Sequence, residues 1–360
     1  MASINLQGDT SGSISISAPS VAGSNTLTLP ATTQTLATQN ALGVRNLIIN
    51  GDMQIAQRGT SVSGISSGGT YHTVDRFTTV LGSAGTWTQT QSTDVPTGQG
   101  FSTSLKMQCT TASASLASGA YNSIQHFIEA QNLQHLKYGT ANAESLTLSF
   151  WVKSNKTGTY VTQFLQDDST GTRTIVKSYT IDSADTWEKK TITIESDTAG
   201  QINNDNGIGL QVRLALAFGS DFTSGTLQTT WGPLVLTNFA VGQVNLADST
   251  SNYINITGIQ LEVGDTATPF EHRPYDMELQ RCFRYFEKSD GVVNGSSGST
   301  ITGRCNWVFK VKKRATPTIT EGGGSAKTGV EVTSTDLYGI NRTGGNQPVI
   351  GSGSTADAEL

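Results

Sequence analysis

The chain has 360 residues, 14% of them charged, 39 glycines and a formal net charge of −5. That length accommodates two or three domains of ~100–200 residues. The mildly acidic balance leaves no electrostatic footprint for nucleic acid, and no apolar run approaches the ~20 residues of a membrane span. Neither a nucleic-acid partner nor membrane insertion is therefore expected. Low charge with abundant Thr, Ser, Val and Ile argues for an all-β chain. Cys109, Cys282 and Cys305 are odd in number and widely spaced. They suit buried free thiols better than a disulfide framework or a metal site. The opening Met1–Asn5 lacks the basic start and apolar run of a secretory signal, so synthesis in a cytoplasm is expected.

In chain order, residues 1–43 form a first segment. Ser13–Ser17 (SISIS) and Asn25–Leu29 (NTLTL) alternate strictly between Gly- and Pro-containing turns. Two or three such short strands bury too little to fold alone, so the segment needs partner strands from copies of itself or from another protein. Residues 44–275 read as the main domain. Asn50-Gly51-Asp52 makes a tight turn after Leu47–Ile49, and Tyr121–Glu129 fits both strand and helix periods, with strand preferred because loops flank it closely. From Glu144 onward the alternation is clear. Leu146, Leu148, Phe150 and Val152 share one face, and Ile208, Leu210, Val212, Leu214 and Leu216 another.

The last strand of the series, within residues 252–263, changes phase at Gly258: Ile254 and Ile256 precede it, Ile259, Leu261 and Val263 follow. A glycine at that slip predicts a β-bulge that keeps both halves in one core. Strands recurring this often predict an antiparallel jelly-roll β-sandwich. Residues 276–289 predict a connecting helix capped by Asp276, with Leu279, Cys282, Phe283 and Phe286 at i, i+3, i+4 and i+7. That stripe either packs on the sandwich or joins copies of the chain, and the second is the reading adopted. Residues 290–360 form a small β-rich tip.

Chemistry is sparse. The histidines lack metal-ligand spacing, Asp167-Asp168 sits in a hairpin-turn sequence, and Asp75, Asp94, Glu129 and Glu144 cannot be paired as a glycosidase dyad from sequence. No catalytic residue, cofactor or metal is expected. Sugar binding is easier to support, because aromatic faces stack on C–H surfaces while polar groups bond hydroxyls. Alternation places Trp151 on the polar side of its strand and Gln211 and Arg213 on the polar side of another; neighbouring strands would make them one platform. Trp87 shares a face with Gln89 and Gln91. For each of these tryptophans packing in a second apolar layer or against another subunit is the commoner outcome, and Trp187 and Trp231, at strand ends, read as core lids.

Three stretches carry a family resemblance. QGDTSGSISISAPSVAGSNTLTLPATTQTLAT resembles the N-terminal segment of bacteriophage tail fibres and related virion proteins, and NLIINGDMQIAQRG together with GIQLEVGDTATPFEHRPYDMELQRCFRYFEK resembles their receptor-binding region, whose jelly roll is similar to carbohydrate-binding modules. The resemblance covers roughly residues 1–288. It implies a homotrimeric tail fibre on the virion, docked to other virion proteins through residues 1–43, that holds host-surface glycans without cleaving them. Carbohydrate-binding jelly rolls often carry a structural Ca²⁺ near the opening turn, but Gln54 stands where they place an acid, so no metal is carried over. The rivals are a purely structural head, neck or tail component and, third, a polysaccharide depolymerase.

Overall fold

A computed structural model describes residues 3–7, 11–17, 45–167, 171–293, 302–322, 331–343 and 349–360. The chain divides into two compact units, Met1–Gly43 and Val44–Leu360. In the first, β1 (Ser3–Gln7) and β2 (Ser13–Ser17) pair antiparallel, Ser3 opposite Ser17 and Gln7 opposite Ser13. The strand expected at Asn25–Leu29 lies outside the described residues.

The second unit is built on one curled antiparallel sheet of eleven strands. In chain order these are β3 (Ser61–Tyr71), β4 (Thr78–Ser92), β5 (Ser104–Thr111), β6 (Tyr121–Glu129), β7 (Leu146–Ser154) and β8 (Gly158–Gln166). They continue with β9 (Arg173–Ile181), β10 (Glu188–Ile194), β11 (Ile208–Phe218), β12 (Gly232–Pro233) and β13 (Tyr253–Val263). The order is β10-β7-β13-β5-β4-β6-β11-β8-β9-β12, with β3 also on β4.

The sheet folds into two layers because β4 serves both. Its first part, Thr78–Gly82, pairs with β6, and its second, Thr86–Ser92, pairs with β5. Gly85 marks the corner with φ +78°, and a Cβ there would meet Thr111 O at 2.4 Å. The core fills the space between layers. Leu105, Met107, Leu148, Phe150, Ile256 and Leu261 face it from the first layer, and Ile124, Phe164, Ile175, Leu210 and Leu214 from the second. Alternation of period two, with one apolar face per strand, is what drives both layers onto this core. The bulge expected at Gly258 is present: the β13–β7 register shifts between Thr257 and Gln260, and Gly258 takes φ +62°. Cys109 and Cys282 are buried free thiols, while the side chain of Cys305 lies outside the described set.

The outer face of the second layer is roofed by the excursion 219–243, which carries a four-residue helix, α1 (Ser220–Thr223). Phe239 and Ala240 from this roof pack on Val161, Leu165, Val176, Ala215 and Phe218.

After β13 comes α2 (Tyr275–Phe283), shorter than expected and preceded at the cap position by Pro274 rather than Asp276. Its stripe is not a seam between copies. Cys282 is 1% exposed and Phe283 8%, and Leu279 packs with Ile49, Ile55, Cys282 and Tyr285 of the same chain. Phe286 is not helical at all. It opens β14 (Phe286–Lys288), opposite Asp357, with the Arg58 guanidinium 3.5 Å from its ring centroid. Apolar side chains beside a ready core bury there, so the chain itself consumes the surface that a trimer seam would need.

The C-terminal region continues as β15 (Val292–Val293), β16 (Thr302–Val308), β17 (Thr318–Thr320), β18 (Glu331–Thr333), β19 (Leu337–Thr343), β20 (Val349–Ile350) and β21 (Thr355–Asp357). Its small core gathers Trp307, Phe309, Tyr338, Ile350 and Ala356. Lys313 is fully buried but satisfied, 2.8 Å from the equally buried Glu287. Glu359 returns to the sandwich and ion-pairs with the buried Arg76, whose guanidinium lies 3.4 Å from the Tyr285 ring centroid.

Candidate functional site

The outer face of the first layer is covered only in part: Thr257 and Asn255 are buried and bond Thr103 O and Ser104 Oγ, whereas Trp151, Trp187 and Tyr253 stay partly exposed. Register defines what stands on it. Trp151 of β7 lies opposite Lys189 of β10 and Thr257 of β13; Lys153 lies opposite Asn255, and Asn255 opposite Lys106 of β5. Tyr253 falls on the same side, two residues before Asn255. Trp187 immediately precedes β10 with the parity of Lys189, so it points outward as well. The loop after β4 brings Asp94 over this row. Its Oδ1 accepts the Trp187 indole N–H at 3.0 Å and its Oδ2 accepts Lys153 Nζ at 2.8 Å.

The result is a half-buried aromatic cluster held by charge. Trp151, Trp187 and Tyr253 are all partly exposed, and Lys106 Nζ lies 4.8 Å from the Tyr253 ring centroid. The Tyr253 hydroxyl donates to Asp185. Burial raises Asp94, but hydrogen bonds from Lys153 and Trp187 outweigh it and hold the carboxyl below its ordinary value. Asn255 donates to Ser104 Oγ at 3.2 Å while its buried Oδ1 has no partner among the described residues. Rings, ammonium groups and a carboxylate thus share one surface, while Asn255 lies buried beneath it. Such a surface can stack on a sugar ring and bond its hydroxyls.

The structure separates the residues expected to form one platform. β7 and β11 are five places apart in the sheet order and lie in different layers. Trp151 therefore never meets Gln211 or Arg213. Gln211 is 4% exposed. Its Oε1 accepts Arg213 Nε at 3.1 Å and Nη2 at 2.6 Å, and the guanidinium sits 5.6 Å from the Phe239 ring in the roof. Burial lowers Arg213 to about 10, with Asp167 opposing. Gln211 is spent on Arg213 and, at 3.4 Å, on Asp167 Oδ2, and Arg213 lies against the roof. Trp87 is also withdrawn: it is 0% exposed, and its indole N–H donates to Ala84 O at 2.7 Å. A tryptophan at the sheet corner has both layers to fill, so it offers no face to a ligand.

Trp187, read from sequence as a core lid, belongs to the outer face. The signal was present: extending the outward parity of Lys189, Thr191 and Thr193 back by one step reaches it. Trp231 does act as a lid, partly buried on the core with its indole N–H on Glu195 O at 2.7 Å.

The carboxylates considered for chemistry are each engaged separately. Asp75 accepts Gln57, Glu129 accepts Arg284 and Tyr285, and Glu144 accepts Lys137. Gln54 donates to Asp52 Oδ2 at 2.6 Å, and Glu262 accepts Thr268. Among the described residues no group of three His, Cys, Asp or Glu is placed to hold a metal. His126 is fully buried, accepting from Ile49 N at 3.4 Å; burial first, then Arg76, lowers it well below its usual value.

Neither a protein-family profile nor a curated protein sequence matches the chain. Solved structures with similar outlines include the enzymatically active domain of tailspike protein 4 from bacteriophage CBA120, at 16% identity and a TM-score of 0.31, over 61% of this chain and only 21% of that one. They also include the CBM22-2 xylan-binding domain from Paenibacillus barcinonensis, at 13% identity and a TM-score of 0.29, over 60% and 97%. The tripod from the baseplate of bacteriophage Tuc2009 aligns at 14% identity and a TM-score of 0.24, over 88% and 90%. At such scores these likenesses assign neither family nor function.

Proposed function

We propose that the chain is a non-catalytic, glycan-binding component of a bacteriophage tail fibre, with the outer face of the first layer as its binding surface. One observation carries this reading: Trp151, Trp187 and Tyr253 stand partly exposed together, with Asp94 bonded to both Trp187 and Lys153. The ion pair orients the indole in advance, which lowers the ordering cost of stacking. The resemblance of residues 1–43 and of the GIQLE–RYFEK segment to tail-fibre proteins supplies the setting, on a virion assembled in the host cytoplasm. Other virion proteins dock on residues 1–43. The homotrimer belongs to the proposal too, with contacts elsewhere than Leu279, Cys282, Phe283 and Phe286. Weak sites repeated on one particle give firm attachment through effective concentration.

The test is binding of the full chain to host-surface polysaccharide, scored alongside Trp187→Ala and Trp151→Ala. Each substitution is expected to weaken binding about tenfold, roughly 1.4 kcal/mol. No reducing ends should appear in the mixture. Binding that survives both substitutions moves the site off this face, and no binding at all leaves a purely structural fibre protein.

A further inference from the structure

Where the strand end of β6 meets α2, the second unit encloses an open cavity of about 320 Å³. Leu47, Ile49 and Phe127 give it an apolar wall, and Asn132, Arg281 and Arg284 a polar one. The wall is rigid. Asn46, also in the lining, accepts Ile48 N and Leu261 N through one oxygen, both at 3.0 Å, and donates to Ile259 O at 3.0 Å, which ties the apolar wall to β13.

The acids at this place are already committed. Glu129 takes Arg284 through both oxygens at 2.7 Å, and also accepts the Tyr285 hydroxyl and Gln131. Glu278 accepts Asn50 N and, at 3.3 Å, Arg273. Arg281 is left with the least. Its Nη1 is buried 3.6 Å from Glu278 Oε2, a carboxylate it shares with Arg273, and has no hydrogen-bond partner among the described residues, while the side chain as a whole stays 30% exposed and lines the cavity. Burial first, then the charge of Arg273, weakens its hold on its proton, as befits a cation short of an anion.

We propose that this cavity takes one carboxylate-bearing sugar ring, a uronic acid unit of an acidic polysaccharide, with Arg281 meeting the carboxylate and the Leu47–Ile49 wall meeting the C–H face of the ring. A guanidinium suits a carboxylate because its planar fork donates two parallel bonds. The volume accommodates a single ring, in the range of small-ligand sites. This rests on the reading of the chain as a glycan binder but places a second, anion-selective site in the layer opposite the tryptophan face.

The test is calorimetric titration of the full chain with sodium glucuronate, methyl glucoside and sodium acetate. Glucuronate is expected to bind, with at least tenfold weaker binding in Arg281→Gln and no change in Trp187→Ala. Asn132→Trp, at an exposed rim position, blocks the cavity without touching Arg281 and carries the test should Arg281→Gln misfold. Acetate binding as tightly as glucuronate identifies an adventitious anion site only and sinks the proposal. Glucuronate binding lost in Trp187→Ala but kept in Arg281→Gln puts the acid on the outer face and sinks it too. Should glucuronate fail while neutral glycans bind in a Trp187-dependent way, the cavity proposal falls and the outer-face reading stands.

Discussion

The two outer faces of the sandwich begin from the same pattern and end differently. On the first layer, outward residues of β7, β10 and β13 remain a half-open surface of Trp151, Trp187, Tyr253 and lysines. On the second, outward residues of β8, β9 and β11 turn apolar at Val161, Leu165, Val176 and Ala215, and the excursion 219–243 covers them. The polar members of that face, Gln211 and Arg213, bond each other, and Arg213 lies against Phe239 of the cover. An outward-pointing polar residue is thus a ligand contact only when nothing in its own chain arrives to use it. That depends on the loops, which strand alternation does not describe.

The contrast is sharpest between two tryptophans. Trp87→Ala removes a fully buried ring from the corner between layers and is expected to cost about 3–5 kcal/mol, read as a fall in the urea midpoint. Trp187→Ala, on the open face, is expected to stay within about 0.5 kcal/mol of the parent. Equal losses for the two would mean that the outer face is structural, and the comparison would collapse.

Phe239→Ala tests the roof and is expected to cost about 3 kcal/mol, because it uncovers Val161 and Leu165 and leaves Arg213 without its aromatic cover. Hydrogen exchange should then speed up in residues 219–243 before it does so in β13. Simultaneous loss of protection would show that roof and core are one cooperative unit.

Acidity separates interior from open face next. Asp75 is buried, and burial raises its carboxyl from 3.8 to about 7 against the opposing pull of Arg58 and Gln57. An acid raised in the folded state contributes stability that is complete below its unfolded value and disappears as pH rises through the folded one. The stability that Asp75 adds should therefore fall away between about pH 4 and pH 7, while the buried His126, held well below its usual value, contributes stability that grows as pH rises towards the ordinary histidine range. The Asp75 part is read as the stability of the parent minus that of Asp75→Asn, a difference that should decline across the window. Glu129 and Asp197 do not confuse the window. Burial raises both, but hydrogen bonds from Arg284 and Arg173 respectively outweigh it, so their contributions are lost only as pH falls below about 4. Asp94, held low on the open face, stays ionised throughout. Glycan binding should accordingly be flat from pH 5 to pH 8, and a binding curve tracking the stability curve would place the ligand near Asp75 instead.

Much of this architecture was legible in the residues themselves. The inward sets of β7 and β11, the strand over Tyr121–Glu129 and the bulge at Gly258 follow from period-two alternation and from the phase slip at one glycine. These are local properties, set within a few residues of backbone geometry. The end of α2 is not legible locally, because Phe286 continues a helical spacing while its backbone finds β21 as a partner some seventy residues later. Trp87 and Trp187 look alike in sequence, each at a polar alternating stretch. Burial distinguishes them only because β4 crosses from one layer to the other at Gly85 while β10 is the edge strand of its layer. Strand order likewise parted Trp151 from Gln211 and Arg213. Alternation determines which side of a strand a residue takes; long-range pairing, driven by burial of the shared core, decides which residues then stand beside it and whether water still reaches them.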